Sequence, residues 1–144
     1  MRTLLLLVAG MSILGCSGSL PDDPDISSGR LPPCPDRPNC VSSQAEDPAR
    51  RIAPIPYTGS PQAARERLLG ILRKQPRSRI VKSDGSCLQV EFKTAVMGFV
   101  DDALFCFDDT RKIIEVRSAS RVGYSDLGVN RNRMERIRGE FIAP

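Results

Sequence analysis

Two stretches of alternating residues, each carrying one cysteine, constrain what this chain can fold into more than any other feature. In Cys87 to Phe92 the apolar residues Leu88, Val90 and Phe92 share one face of a strand, so Cys87 points to the other. In Ala103 to Phe107, Phe105 and Phe107 mark the core face and Cys106 again points away. Setting Cys87 opposite Cys106 brings Leu88 against Phe105, so a single antiparallel register serves both the core and a disulfide. Cys34 and Cys40 bracket Pro35-Asp36-Arg37-Pro38-Asn39, a turn-forming stretch able to close a small loop. Four cysteines allow three pairings, and Cys34–Cys40 with Cys87–Cys106 is the expected set. A metal centre is a poor rival, because the chain has no histidine and Cys34 and Cys40 lack a tight C-x-x-C spacing. No metal and no cofactor are expected.

The fifth cysteine, Cys16, follows Arg2, an apolar run from Leu4 to Leu14, and Gly15. The run is shorter than the roughly 20 residues a membrane span needs, and no A-x-A-like cleavage site follows it. This layout resembles a bacterial lipoprotein signal with its lipobox. The resemblance implies that residues 1–15 are a signal peptide removed before Cys16, and that the Cys16 thiol is diacylated and its new amino group acylated. One acyl chain binds a membrane marginally, whereas several on one residue anchor stably. The expected location is the cell envelope, lipid-anchored. Ser17 stands where lipoproteins retained at the inner membrane often carry aspartate, which favours the outer membrane, facing the periplasm, in a Gram-negative source. Export places the remaining four cysteines in an oxidising compartment and leaves no nucleic acid as partner.

Loss of the leader removes only Arg2 among the charged residues, leaving 20 basic against 17 acidic side chains, a net of +3. The remaining length suits one domain. Residues 16–33 are rich in Ser, Gly, Pro and Asp and read as the lipidated N-terminus with a flexible linker. A single domain is expected over 34–144. Val41 to Gln44 and Arg51 to Ile55 are short extended candidates, the second weakened by Pro54 and Pro56. Ser60 and Pro61 open a helix in which Ala64, Leu68, Ile71, Leu72 and Gln75 recur at helical spacing until Pro76. Strands are expected over Arg79 to Ser83, Cys87 to Phe92, Ala103 to Phe107 and Ile113 to Ser118. Asp84-Gly85 is a hairpin turn, and Lys93 to Val100 a loop holding Met97, Gly98 and Phe99. In a closing helix, Leu127, Asn130, Met134, Ile137 and Phe141 form one stripe, Arg131, Arg133, Arg136 and Arg138 face elsewhere, and Ser125 or Asp126 caps. The expected fold is α+β: a four-stranded antiparallel meander with two helices packed on one face.

Two blocks stand out together: Cys34-Pro35-Asp36-Arg37-Pro38-Asn39-Cys40-Val41-Ser42-Ser43, and Gly98-Phe99-Val100-Asp101-Asp102 continued by residues 117–131. Both resemble the signature of the domain of unknown function 1499 family, over nearly everything from Cys34 to the C-terminus. Its members are often lipoproteins or otherwise exported or membrane-associated. The family has no established activity, so the resemblance implies no catalytic residue. Cys87 and Cys106 lie outside its usual motif, and their bridge rests on register alone.

The second block is basic. Residues 111–138 hold eight Arg or Lys against three acids, a local +5 that reads either as a surface for an anionic neighbour or as a solvated arginine-rich helix face. One reading is a polar pocket in which Arg117, Arg121 and Tyr124 hold an anionic or carbohydrate group beside the N-terminus of the last helix, with Ser125, Asp101, Asp102, Asn130 and Arg131 as further ligand-binding candidates. The other is a structural corner, with Arg117 and Arg121 paired to Asp101 and Asp102, Ser125 and Asp126 capping, and Asn130 satisfying buried backbone groups. Without histidine no Ser-His-Asp or Cys-His pair exists, and there is no G-x-S-x-G elbow or phosphate-binding glycine loop. Asp101 and Asp102 are adjacent, point to opposite faces of a strand, and make a poor glycosidase pair. The expected function is a membrane-anchored binding or assembly module for an anionic small molecule, a lipid headgroup or an envelope protein. The alternatives are an enzyme of unfamiliar type acting on envelope material through Tyr124, Ser125 and Asp101 or Asp102, or a purely structural envelope protein.

Overall fold

The computed structural model describes residues 30–83 and 85–144. The expected signal peptide, the Cys16 lipidation site and Asp84 of the hairpin turn lie outside the described residues. Two short strands, β1 (Cys40–Ser42) and β2 (Ile55–Pro56), precede helix α1 (Pro61–Lys74). The meander β3 (Ser78–Lys82), β4 (Cys87–Lys93), β5 (Val100–Asp108) and β6 (Ile113–Ser120) follows, and helix α2 (Val129–Ile142) closes the chain.

The sheet has six strands rather than the four expected, all antiparallel, in the order β1-β6-β5-β4-β3 with β2 also on β6. The four-stranded meander is there, and the two additions share one edge. β1 pairs with residues 117–119 of β6 and β2 with residues 113–114. The extended candidates at 41–44 and 51–55 overlap both, but strands of three and two residues carry too little alternation to be assigned to a sheet from the sequence. The β4–β5 register is the one that the cysteines demand, with Cys87 opposite Cys106 and Leu88 opposite Phe105. Both expected disulfides are formed, Cys34–Cys40 and Cys87–Cys106.

Helix α1 forms where Ser60 accepts the Ala63 N–H at 3.2 Å and Pro61 supplies a pre-set φ at the first position. Ala64, Leu68 and Leu72 recur four apart and are buried, while Arg73 and Lys74 complement the carboxyl end of the dipole. Ser60→Ala should therefore cost about 1 kcal/mol, read as a lower urea midpoint with an unchanged slope. A midpoint equal to the parent's would mean the cap is replaced by solvent.

Helix α2 starts later than expected. Gly128, at φ +80°, is its N-cap, and neither Ser125 nor Asp126 occupies that position. Asp126 still serves the first turn from two residues upstream, accepting from the N–H of Gly128 at 3.1 Å and of Asn130 at 2.8 Å. Two further expectations for this helix fail. Leu127 lies outside it and is 91% exposed, and Arg133, expected to face solvent, is buried with Asn130, Met134, Ile137 and Phe141. Residues three and four apart share one face, and 133 falls on the same side as 130, 134 and 137.

The core fills one side of the sheet. Leu88, Val90, Phe92, Ala103, Phe105, Ile114 and Val116 meet Leu68 and Leu72 of α1 and Met134, Ile137 and Phe141 of α2. The other side is covered in part by a segment expected to be linker. Leu31 is 4% exposed and packs on Leu104, Cys87 and Cys106, and its N–H donates to Gln44 Oε1 at 2.9 Å. The folded unit thus begins before Cys34. A lone leucine among prolines carries no periodicity, so only the surface opposite it reveals its role.

Candidate functional site

The alternation of β5 sends Asp101 and Asp102 to opposite faces, so the residues grouped in the sequence become two separate networks. On the helix side, Asp101 (1% exposed) accepts from Arg133 at 2.6 Å. The same guanidinium donates to Asn130 Oδ1 at 2.9 Å and lies 4.6 Å from the centre of the Phe92 ring. The Ser118 hydroxyl also donates to Asn130 Oδ1. The Asn130 amide in turn donates to Asn39 O, Ser120 Oγ and Asp126 Oδ2, at 3.2, 3.0 and 2.8 Å. Asn130, a candidate for holding a ligand, therefore ties the residue before β1, strand β6 and the loop before α2 together. Beside it, Asn39 donates to Gly123 O at 2.9 Å, and its Oδ1 is buried without a hydrogen-bond partner among the described residues.

On the opposite face, Arg121 holds Asp102 through two bonds, Nε to Oδ2 at 2.7 Å and Nη2 to Oδ1 at 2.8 Å, and also donates to Glu91. Arg79 closes the chain of charges on Glu91 at 2.7 Å. Donating to the Asp102 carboxylate raises the Arg121 pKa above its ordinary value; burial opposes this, and Glu91 adds to the rise. Burial pushes the Glu91 carboxyl up, but the hydrogen bonds and charges of Arg79 and Arg121 outweigh it and hold the pKa below the usual range. Arg117 makes no ion pair among the described residues. Its guanidinium donates to the carbonyls of Pro32 at 2.9 Å and Pro33 at 3.2 Å, clamping the segment that carries Leu31. Burial lowers its pKa, with Asp102 opposing.

The remaining candidates sit in the loop between β6 and α2. Tyr124 is 73% exposed. Ser125 accepts the Leu127 N–H at 3.2 Å. Arg131 donates to the carbonyls of Ala49 and Arg51 at 2.7 and 3.0 Å. Tyr124, Ser125, Asp126 and Arg131 do line one recess of about 530 Å³ together with Asp36, Asp47 and Arg50. Arg50 is paired there with both Asp36 and Asp47, and Arg117 and Arg121 are not among its walls. The cations expected to hold an anion are thus split between two faces and engaged by carboxylates or carbonyls. A larger cleft of about 650 Å³ lies at the other end of the molecule, between α1 and the end of α2, with Tyr57, Ala64, Phe141 and Ile142 in its walls.

At the end of the sheet opposite this cleft lies an apolar surface that no pattern in the sequence marks. Lys93 faces Val100, Asp101 faces Ser120, and Cys40 faces Ala119. The 94–99 loop, the 121–128 loop and the Cys34–Cys40 loop therefore emerge together. Val96, Met97 and Phe99 on the first, with Tyr124, Leu127 and Val129 on or beside the second, make six of the eight large exposed apolar side chains among the described residues. Thr94 pins the first loop, its N–H donating to Phe99 O at 2.8 Å and its Oγ1 accepting the Phe99 N–H at 2.9 Å. Leu127 is held at φ +52°, a left-handed conformation that costs a side-chain-bearing residue about 1–2 kcal/mol. Fold stability has no use for a strained, solvated leucine. Leu127→Asn, whose side chain tolerates that backbone, should raise stability by about 1 kcal/mol; a lower urea midpoint would mean the leucine packs after all.

Among the described residues no cluster of three or more His, Cys, Asp or Glu side chains could hold a metal ion, and no helix is long and apolar enough to cross a membrane. No curated protein and no solved structure matches the chain at a significant level. A family does match, over residues 30–141, which begin at the segment seated on the back of the sheet and end within α2. The chain belongs to the family described as Protein of unknown function (DUF1499).

Proposed function

We propose that this chain is a cell-envelope lipoprotein, tethered through Cys16, whose folded domain is a non-catalytic docking module that uses the end of the sheet formed by the 94–99 and 121–128 loops. The observation that carries this reading is the contrast at that end: ionisable groups beneath it pair among themselves, while large apolar side chains stand in solvent. Exposed apolar groups gathered on adjoining loops mark contact surfaces.

An anion pocket built on Arg117 and Arg121 loses support from the same facts. Displacing Asp102 and Glu91 from Arg121, or the Pro32 and Pro33 carbonyls from Arg117, would break the corner before a ligand gained a contact. The enzyme alternative fares no better. Asp101 and Asp102 are buried in ion pairs on opposite faces, while Tyr124 stands exposed in a loop.

The chain contains no tryptophan, so Met97→Trp provides a single reporter on the first loop. In envelope membranes from the source cell its fluorescence should be shielded from iodide, relative to the detergent-purified chain, and Cys16 should incorporate labelled palmitate. An indole equally open to iodide in both settings would remove the docking face. A Cys16 thiol free of acyl groups would remove the tether.

A further inference from the structure

Building on the docking reading just given, we propose that the surface contacted by this end of the sheet is an anionic lipid bilayer. Val96, Met97, Phe99, Tyr124 and Leu127 enter the headgroup region, and Arg37, Arg77 and Lys93 lie over the phosphates. The shape of the apolar surface favours lipid over protein. Val96 and Leu127, 92% and 91% exposed, project from loop tips, while Tyr124 stands at the edge of the recess of about 530 Å³. A bilayer deforms around such tips, whereas a protein partner must bring a matching cavity for each. Tyr124, with an apolar ring and a polar hydroxyl, suits the boundary between acyl chains and water.

Charge supports the same occupant. Arg37 lies in the Cys34–Cys40 loop, which adjoins the second apolar loop through the Asn39–Gly123 hydrogen bond. Lys93 ends β4 at the foot of the first loop, and Arg77 is held beside it, its Nε donating to Lys93 O at 3.2 Å. All three side chains are exposed, and none has a carboxylate within ion-pair distance among the described residues. Apolar tips with Arg37, Arg77 and Lys93 on or beside their loops, and with the neighbouring Asp36 already paired to Arg50, match an interface that is apolar within and anionic at its surface.

The tether permits this orientation. From Cys16 to Arg30 the extended chain spans up to about 50 Å, more than twice the roughly 20 Å separating Val100 from Cys106 along β5. The loop end can therefore reach the bilayer that holds the acyl chains, wherever on the domain the tether departs.

The test uses the full lipidated chain in vesicles of phosphatidylglycerol and phosphatidylcholine containing brominated lipid. Met97→Trp should show a blue-shifted emission quenched by bromine, and Phe107→Trp, at the opposite end of β5, should not. Quenching should be lost in pure phosphatidylcholine and in a Met97→Trp chain that also carries Arg77→Gln and Lys93→Gln. Leu127→Asn on the same background should weaken quenching while leaving the fold at least as stable, which separates lost contact from lost structure. A Met97→Trp indole that stays unquenched on vesicles retaining the chain overturns the lipid proposal. If that same indole is shielded from iodide in native envelopes, a protein covers this end and the docking reading survives without the lipid. Equal quenching at positions 97 and 107 also overturns the proposal, because the contact would then have no preferred end.

Discussion

Arg133→Met is expected to destabilise the domain by about 3–5 kcal/mol, the cost of leaving one buried charge without its partner. The side chain was expected on the solvent face of the last helix, yet it is 8% exposed and its guanidinium is the ion-pair partner of Asp101. Methionine fills similar space over the Phe92 ring but strands a carboxylate that is 1% exposed. The second variant of the pair makes the argument decisive. Asp101→Leu combined with Arg133→Met should recover most of the loss, because two apolar groups of matching volume often replace a buried pair at little net cost. Urea denaturation of the parent, both single variants and the double variant measures the coupling directly. Additive losses would show that Arg133 and Asp101 act through separate contacts rather than through each other.

Arg121→Gln should cost about 2–3 kcal/mol at neutral pH and progressively less in acid. Asp102 loses both of its bonds from the guanidinium, and Glu91 keeps only Arg79. The pH dependence follows from Glu91. Its carboxyl titrates below the ordinary range in the folded chain, so its contribution to stability is complete above that range and vanishes as pH falls through the lowered folded value. Without Arg121, burial is offset by Arg79 alone, the folded pKa rises, and the acid limb of the stability curve moves to higher pH. The two curves should therefore converge at low pH, where Glu91 is protonated in both chains. Parallel curves across the acid range would show that the Arg121–Glu91 contact carries no stability. Arg121 was a candidate for holding a ligand with Arg117, so this measurement also distinguishes a group held for the fold from one held for a partner.

Local patterns were sufficient wherever one element decides its own form. The first helix was legible because Ser60, Pro61 and the Ala64, Leu68, Leu72 spacing act within a few turns of one another. The pairing of β4 with β5 was legible because two alternating strands and two cysteines admit a single register, and Cys87 opposite Cys106 is that register. The opposed directions of Asp101 and Asp102 follow from strand geometry alone. Arg133 was misread because a charge was assumed to seek water; the carboxylate that receives it lies 32 residues away. The exposed apolar end was missed because each of its loops looks ordinary, and only the sheet brings them side by side.

What the residue order settled by itself is the class of fold, the disulfide register and the absence of histidine chemistry, because each depends on neighbours in the chain or on composition. Which arginines are spent on carboxylates and carbonyls, where Leu31 seats, and which apolar side chains remain in water were decided only in three dimensions. Those outcomes are set by partners distant in the chain, and a side chain's environment is fixed by what packs beside it rather than by what precedes it.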